Sequence, residues 1–178
     1  MALLYQVEKA AIINVILSKH RTYHMDFFDA IKKRRSIRHF TAEPVKDEDL
    51  RAMLEAARMA PNSHNAQPWH FIIIRDRDLM SRLRDIVSAA IEGQAQTGSG
   101  SEPLDPSQLQ RQKFYATSVF DAPVVVLALT HPVPSPVPNT PPKADSGLQS
   151  VSAALAQLHL AATALGYGGC WSTLPRWL

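Results

Sequence analysis

Apolar residues recur along this chain in two rhythms, and the points where the rhythm changes mark its elements. Leu50, Met53, Leu54 and Ala57 fall three or four apart, as on one face of a helix. Asp47 is the expected N-cap, and Glu48 and Asp49 sit at the positive end of that helix. Residues 69–74 (W-H-F-I-I-I) form an uninterrupted aromatic and β-branched run of strand length, predicted to be buried on both faces. A second run, residues 124–129 (V-V-V-L-A-L), predicts another buried strand after the punctuation of Asp121, Ala122 and Pro123.

Helical spacing returns at Leu79, Leu83, Ile86, Val87 and Ala90, predicting a helix that starts at Asp78 and fades at Gly93. It is most sustained at Leu148, Val151, Leu155, Leu158, Ala162 and Leu165, the expected longest helix. Asp145 is its predicted cap and Gly166 its C′ residue, and Ala153, Ala154, Ala156, Ala161 and Ala164 permit close approach. Shorter helices are predicted over residues 27–35 and 108–120.

The segments between these elements differ in kind. Residues 61–69 (P-N-S-H-N-A-Q-P-W) are a polar loop wedged between the helix that ends at Pro61 and the first strand. An Asn/Ser/Pro turn is the plain account of it, but loops held by regular elements on both sides are also where binding groups collect. Residues 94–107 read as a mobile polar excursion. Residues 131–143 hold six prolines and cannot pair inside a sheet, because proline lacks the ladder donor; an extended surface segment or lid is expected. Residues 1–24 read as an N-terminal extension before a domain spanning 25–178. Their apolar run, residues 10–17, is too short to span a membrane and lacks a signal-peptide cleavage site.

Composition narrows the function classes. With 46% hydrophobic and 20% charged residues in 178, one globular domain is expected. A net charge of +3 is too weak to argue for a nucleic-acid partner. A single cysteine, Cys170, excludes an intrachain disulfide and fits a reducing compartment, the cytoplasm. The seven histidines show no metal-binding spacing.

Three stretches carry candidate chemistry. Residues 32–35 are basic, which as a bland reading is a solvated helix end suited to the helix dipole. If the chain leaves that helix extended, alternate residues Arg34, Ser36 and Arg38 project to one side, where two guanidinium forks and a hydroxyl match phosphate oxygens. The polar loop offers Asn62, Ser63, Asn65 and Gln67. Gly168 and Gly169 leave backbone that can lie tight against a flat ligand.

Taken together and in order, Arg34-Arg35-Ser36-Ile37-Arg38-His39-Phe40, Ala60-Pro61-Asn62-Ser63-His64-Asn65-Ala66-Gln67-Pro68-Trp69-His70-Phe71 and Ala161-Ala162-Thr163-Ala164-Leu165-Gly166-Tyr167-Gly168-Gly169-Cys170-Trp171 resemble the nitroreductase family. The resemblance implies an α+β fold, a central mostly antiparallel sheet flanked by helices, without the C-terminal extension usual in that family. It implies an FMN-dependent oxidoreductase that takes electrons from NAD(P)H in a ping-pong cycle, passes them to a nitroaromatic, quinone or related acceptor, and works as a homodimer with FMN at the interface. Arg34, Ser36 and Arg38 would hold the FMN phosphate and ribityl chain, with Arg35 near the ring. Pro61, Asn62, Ser63 and Asn65 would come from the other subunit, and Gln67 would lie near the ribityl chain or ring edge. Cys170, Trp171, Ser172 and Thr173 would pass beside the flavin ring, with Gln149 and Ser150 as further contacts. The flavin carries the chemistry, so no catalytic side chain or metal is expected. The alternative is a truncated, catalytically impaired flavin-binding protein of the same family.

Overall fold

The long β-branched run and the two amphipathic faces that bracket it explain most of the architecture. A computed structural model of the chain describes residues 3–4, 25–97, 105–142 and 144–172. The elements follow in the order β1 (Leu3–Leu4), α1 (Phe27–Lys33), α2 (Asp47–Arg58), β2 (Trp69–Ile74), α3 (Arg77–Thr97), α4 (Pro106–Thr117), β3 (Val125–Thr130) and α5 (Ala144–Ala164). Short 3-10 turns lie at Ser63–Asn65 and Ser118–Asp121. β2 is the centre of an antiparallel sheet ordered β1-β2-β3, with Leu4 opposite Ile72 on one side and Phe71 opposite Ala128 on the other.

Because side chains alternate along a strand, β2 feeds two cores. Trp69, Phe71 and Ile73 pack with Leu50, Met53, Leu54 and Ala57 of α2 and Val151, Ala154, Leu158 and Ala162 of α5. On the opposite face Ile74, with Ile72, meets Met80, Val87 and Ile91 of α3 and Phe120 beyond α4. The result is the expected α+β arrangement, a sheet between two helical layers.

Several expectations need correction. The N-cap position of α2 is Lys46, which makes no side-chain cap bond, and Asp47 lies inside the helix. Likewise α3 begins at Arg77, with Asp76 accepting from the Leu79 amide at 3.0 Å, and it continues past Gly93 to Thr97. α5 begins one residue before Asp145 and, at 21 residues, only equals α3 in length. β3 is half-buried rather than buried, with Leu129 43% exposed, because it pairs only with β2 among the described residues. In β2, His70 faces solvent. Of the apolar residues of α1 only Ala30 is buried, leaving Phe27, Phe28 and Ile31 exposed.

The C-terminal end of α5 follows its sequence signal. α5 closes on a Schellman motif. Gly166 at φ 87° donates to the Thr163 carbonyl at 3.0 Å and Tyr167 donates to that of Ala162 at 2.8 Å, a left-handed position that suits glycine. The proline-rich segment forms no regular element, and Val133 anchors it in the interior at 2% exposure. Half of the expected polar excursion, residues 98–104, lies outside the described residues, while residues 94–97 continue α3 and residues 106 and 107 open α4. No described helix is long and apolar enough to cross a membrane, and no group of three or more His, Cys, Asp or Glu among the described residues is placed to hold a metal ion.

Candidate functional site

The basic run at the end of α1 divides by use. Arg34 occupies the C-cap, and its backbone leaves the helix at ψ 125°. Arg35 turns back and donates to the carbonyls of Lys32 at 2.6 Å and Arg34 at 2.8 Å, so its guanidinium stitches the helix end. Beyond it the chain is extended, as the R-x-S-x-R reading requires. Ser36 forms a parallel bridge with Gly169, and the Ile37 amide donates to the Gly169 carbonyl at 2.9 Å. Among the described residues the guanidinium groups of Arg34 and Arg38 donate no hydrogen bond and join no ion pair. Arg38 instead lies over the Tyr115 ring, its Cζ 4.9 Å from the centroid.

The turn after α5 is pressed against this strap. A methyl group on Gly168 would come within 2.8 Å of Ile37 Cγ1, and one on Gly169 within 3.1 Å of the His159 ring. The bare Cα atoms therefore face neighbouring protein on that side, which is why side chains are excluded there. His159 is half-buried, and its pKa is lowered first by burial and then by the positive charge of Arg34. Cys170 is half-buried and its thiol points to the Trp171 carbonyl at 3.6 Å, Trp171 is 44% exposed, and Ser172 follows. Thr173 lies outside the described residues.

The polar loop is strained and internally braced. His64, Asn65 and Gln67 all have positive φ, 51°, 51° and 47°, in the left-handed region that costs a residue with a Cβ about 1–2 kcal/mol. The Asn62 side chain holds the loop shut, accepting from the Gln67 amide at 2.8 Å and donating to the Ala60 carbonyl at 3.2 Å. The Ser63 amide donates to Ser150 Oγ at 3.2 Å, and that hydroxyl donates to the Ser146 carbonyl at 2.6 Å. Ser150 is thus a buried tie between loop and α5. Pro61, Asn65 and Gln149 stay exposed. A shallow pocket of about 70 Å³ lies among Ser63, His64, Ser146 and residues 133–136 of the proline-rich segment.

These contacts place the polar loop and the basic strap at opposite ends of α5. The loop docks at Ser146 and Ser150, the basic strap at Gly169 beside His159, and nine residues of helix separate Ser150 from His159, roughly 13 Å of axis.

Sequence reasoning missed His159, Tyr115, and the hydrogen bond of 2.8 Å from the Tyr167 hydroxyl to Asp49, a carboxylate only 3% exposed. Asp49 had a signal, since it lies four residues before Met53 and so on the buried face of α2. Tyr115 had none, because its partner is far away in the chain.

Comparison with known proteins follows the same outline. The Nitroreductase family pattern matches residues 31–176. A protein of Archaeoglobus fulgidus, whose name places it among NADH dehydrogenases or NAD(P)H nitroreductases, is 29% identical over 82% of this chain and 67% of its own length. Iodotyrosine deiodinase 1 of Rattus norvegicus is 28% identical over 60% of this chain and 38% of its own. Among solved structures, a BluB-like flavoprotein from Clostridium difficile 630 superposes with a TM-score of 0.70 at 31% identity, covering 84% of this chain and 74% of that one. An iodotyrosine deiodinase bound to FMN and 3-iodo-L-tyrosine superposes with a TM-score of 0.63 at 25% identity, over 84% and 76%. The chain therefore spans from about two fifths to two thirds of the length of the relatives named by sequence.

Proposed function

Because this chain belongs to the nitroreductase family, we propose that it is an FMN-dependent oxidoreductase that takes electrons from NAD(P)H and reduces a small-molecule acceptor such as a nitroaromatic or quinone. The observation that carries the reading is the pair of uncommitted guanidinium groups, Arg34 and Arg38, flanking the Ser36–Gly169 bridge. The residues fit the cofactor's phosphate: an anion needs forked donors without internal partners, and Arg34 and Arg38 supply them on either side of the exposed Ser36.

FMN, when bound, supplies the two-electron redox chemistry. The protein's own part is binding and orientation. Arg34, Ser36 and Arg38 would hold the phosphate, Cys170, Trp171 and Ser172 would lie beside the ring, and Arg35 secures the helix end from which Arg34 projects. The nicotinamide donor and the acceptor use one pocket in turn, which is the ping-pong order.

The polar loop contributes in trans. Within one chain it sits at the far end of α5 from the clamp, so a two-fold partner brings Pro61, Ser63, Asn65 and Gln67 of one protomer to the clamp of the other. The exposed apolar residues Phe27, Phe28 and Ile31 of α1 and Leu148 of α5 support such a partner, since large apolar side chains in solvent call for a cover. The single cysteine suits a cytoplasmic setting. A second reading, reductive dehalogenation of an aromatic substrate, is favoured by the likeness to iodotyrosine deiodinases.

The decisive experiment is an absorbance spectrum after FMN is added and the excess removed, then after anaerobic NADPH or NADH, then after a quinone, a nitroaromatic or an iodophenol. The expected result is a retained flavin spectrum that bleaches with the nicotinamide and returns with one acceptor class, which separates the two readings. Arg34→Ala and Arg38→Ala each remove a charge-assisted contact of about 1.5–3 kcal/mol and should weaken FMN binding tenfold or more. Unchanged affinity in both variants would sink the assignment.

A further inference from the structure

We propose that Tyr115 is a positioning residue for the anion clamp, holding Arg38 in place before any ligand arrives, so that α4 is part of the cofactor site although it lies outside all three sequence motifs. This rests on the FMN reading above. The Arg38 guanidinium stacks 4.9 Å from the centre of the Tyr115 ring. A stacked guanidinium uses its face and leaves its N–H donors pointing outward in its own plane, where a phosphate can take them in pairs. Arg38 makes no other polar contact among the described residues, so the ring is what orders it there.

The neighbouring residues repeat the pairing. His39 lies against Phe114 at 5.4 Å between centroids, and Phe114 lies against Tyr115 at 5.8 Å. Two consecutive residues of the strap thus meet two consecutive residues of α4, which sets their register. The platform is itself held. α4 starts at a capping box between Asp105 and Gln108, and an ion pair joins its Lys113 to Glu92 of α3. A long side chain ordered in advance loses less freedom when the ligand binds, so affinity rises without a new ligand contact.

The test compares FMN with riboflavin, which lacks the phosphate, by fluorescence titration of the full chain. Tyr115→Leu should weaken FMN about threefold to tenfold and leave riboflavin unchanged. Tyr115→Phe keeps the ring and should bind both as the wild type does. In an Arg38→Ala background, Tyr115→Leu should change nothing further. Tyr115 is half-exposed, so Tyr115→Leu should fold, and unchanged circular dichroism checks it. The proposal is overturned if Tyr115→Leu binds FMN normally, if it weakens FMN and riboflavin alike, or if its effect persists without Arg38. A wild type that does not distinguish FMN from riboflavin would instead remove the phosphate reading on which the proposal stands.

Discussion

At the scale of single residues, the chain shows how one composition serves different ends. Arg34, Arg35 and Arg38 are the same side chain within five positions, yet Arg35 caps a helix end while the other two keep their donors available. Asn62 braces the loop from within and Asn65 is left at its surface. His159 adds a titration to this picture. Its folded-state pKa lies below the ordinary 6.5, so the neutral ring is favoured in the native state. The unfolded chain therefore binds a proton first as the pH falls through about 6.5, and stability drops until the native histidine titrates too. A His159→Gln variant should lose part of the wild type's decline in urea midpoint between pH 7.5 and 5. An identical decline in both proteins would count against the buried, Arg34-facing histidine as its source.

At the scale of elements, sequence periodicity located helices and strands well and their ends less well. α2 opens at the acidic residue expected to cap it, and α3 and α5 each open one residue ahead of theirs, because an acidic first turn satisfies the helix dipole whether or not its side chain closes a cap bond. α4, like α3 with Asp76, has a true side-chain cap. The Asp105 carboxyl is held below its ordinary pKa by its hydrogen bonds with the Ser107 side chain and the Gln108 amide. Its contribution is present above the ordinary value of 3.8 and is lost as the pH falls through the lower folded value. Asp105→Ala should speed amide exchange in the first turn of α4 at neutral pH and weaken FMN binding slightly through Tyr115. Wild-type exchange rates in that turn would show that the ion pair to α3 alone secures the helix.

At the scale of the whole molecule, the separation of loop and clamp along α5 predicts complementation between chains. An Arg34→Ala chain lacks a clamp and an Asn65→Ala chain lacks a loop contact. If the loop acts in trans, a mixed dimer has one site with both defects and one with neither. Unfolding and refolding the two variants together in equal amounts should then restore about a quarter of the wild-type tight FMN sites. No recovery beyond the average of the separate variants would place loop and clamp in one protomer.

Much of this protein was legible in its residues alone. Strand β2, the faces of α2 and α5 and the glycine that closes α5 follow from local periodicity and backbone preference, properties that neighbouring residues carry together, and three stretches resemble the nitroreductase family by the residues they hold. Packing alone decided which partner each polar group meets. Tyr167 reaches Asp49 across 118 residues, Ser63 reaches Ser150 across 87, and Arg38 finds Tyr115 on a helix with no motif. Contacts of that length leave no periodic trace, because each depends on how two cores on opposite faces of β2 set their helices, and that arrangement is a property of the folded whole.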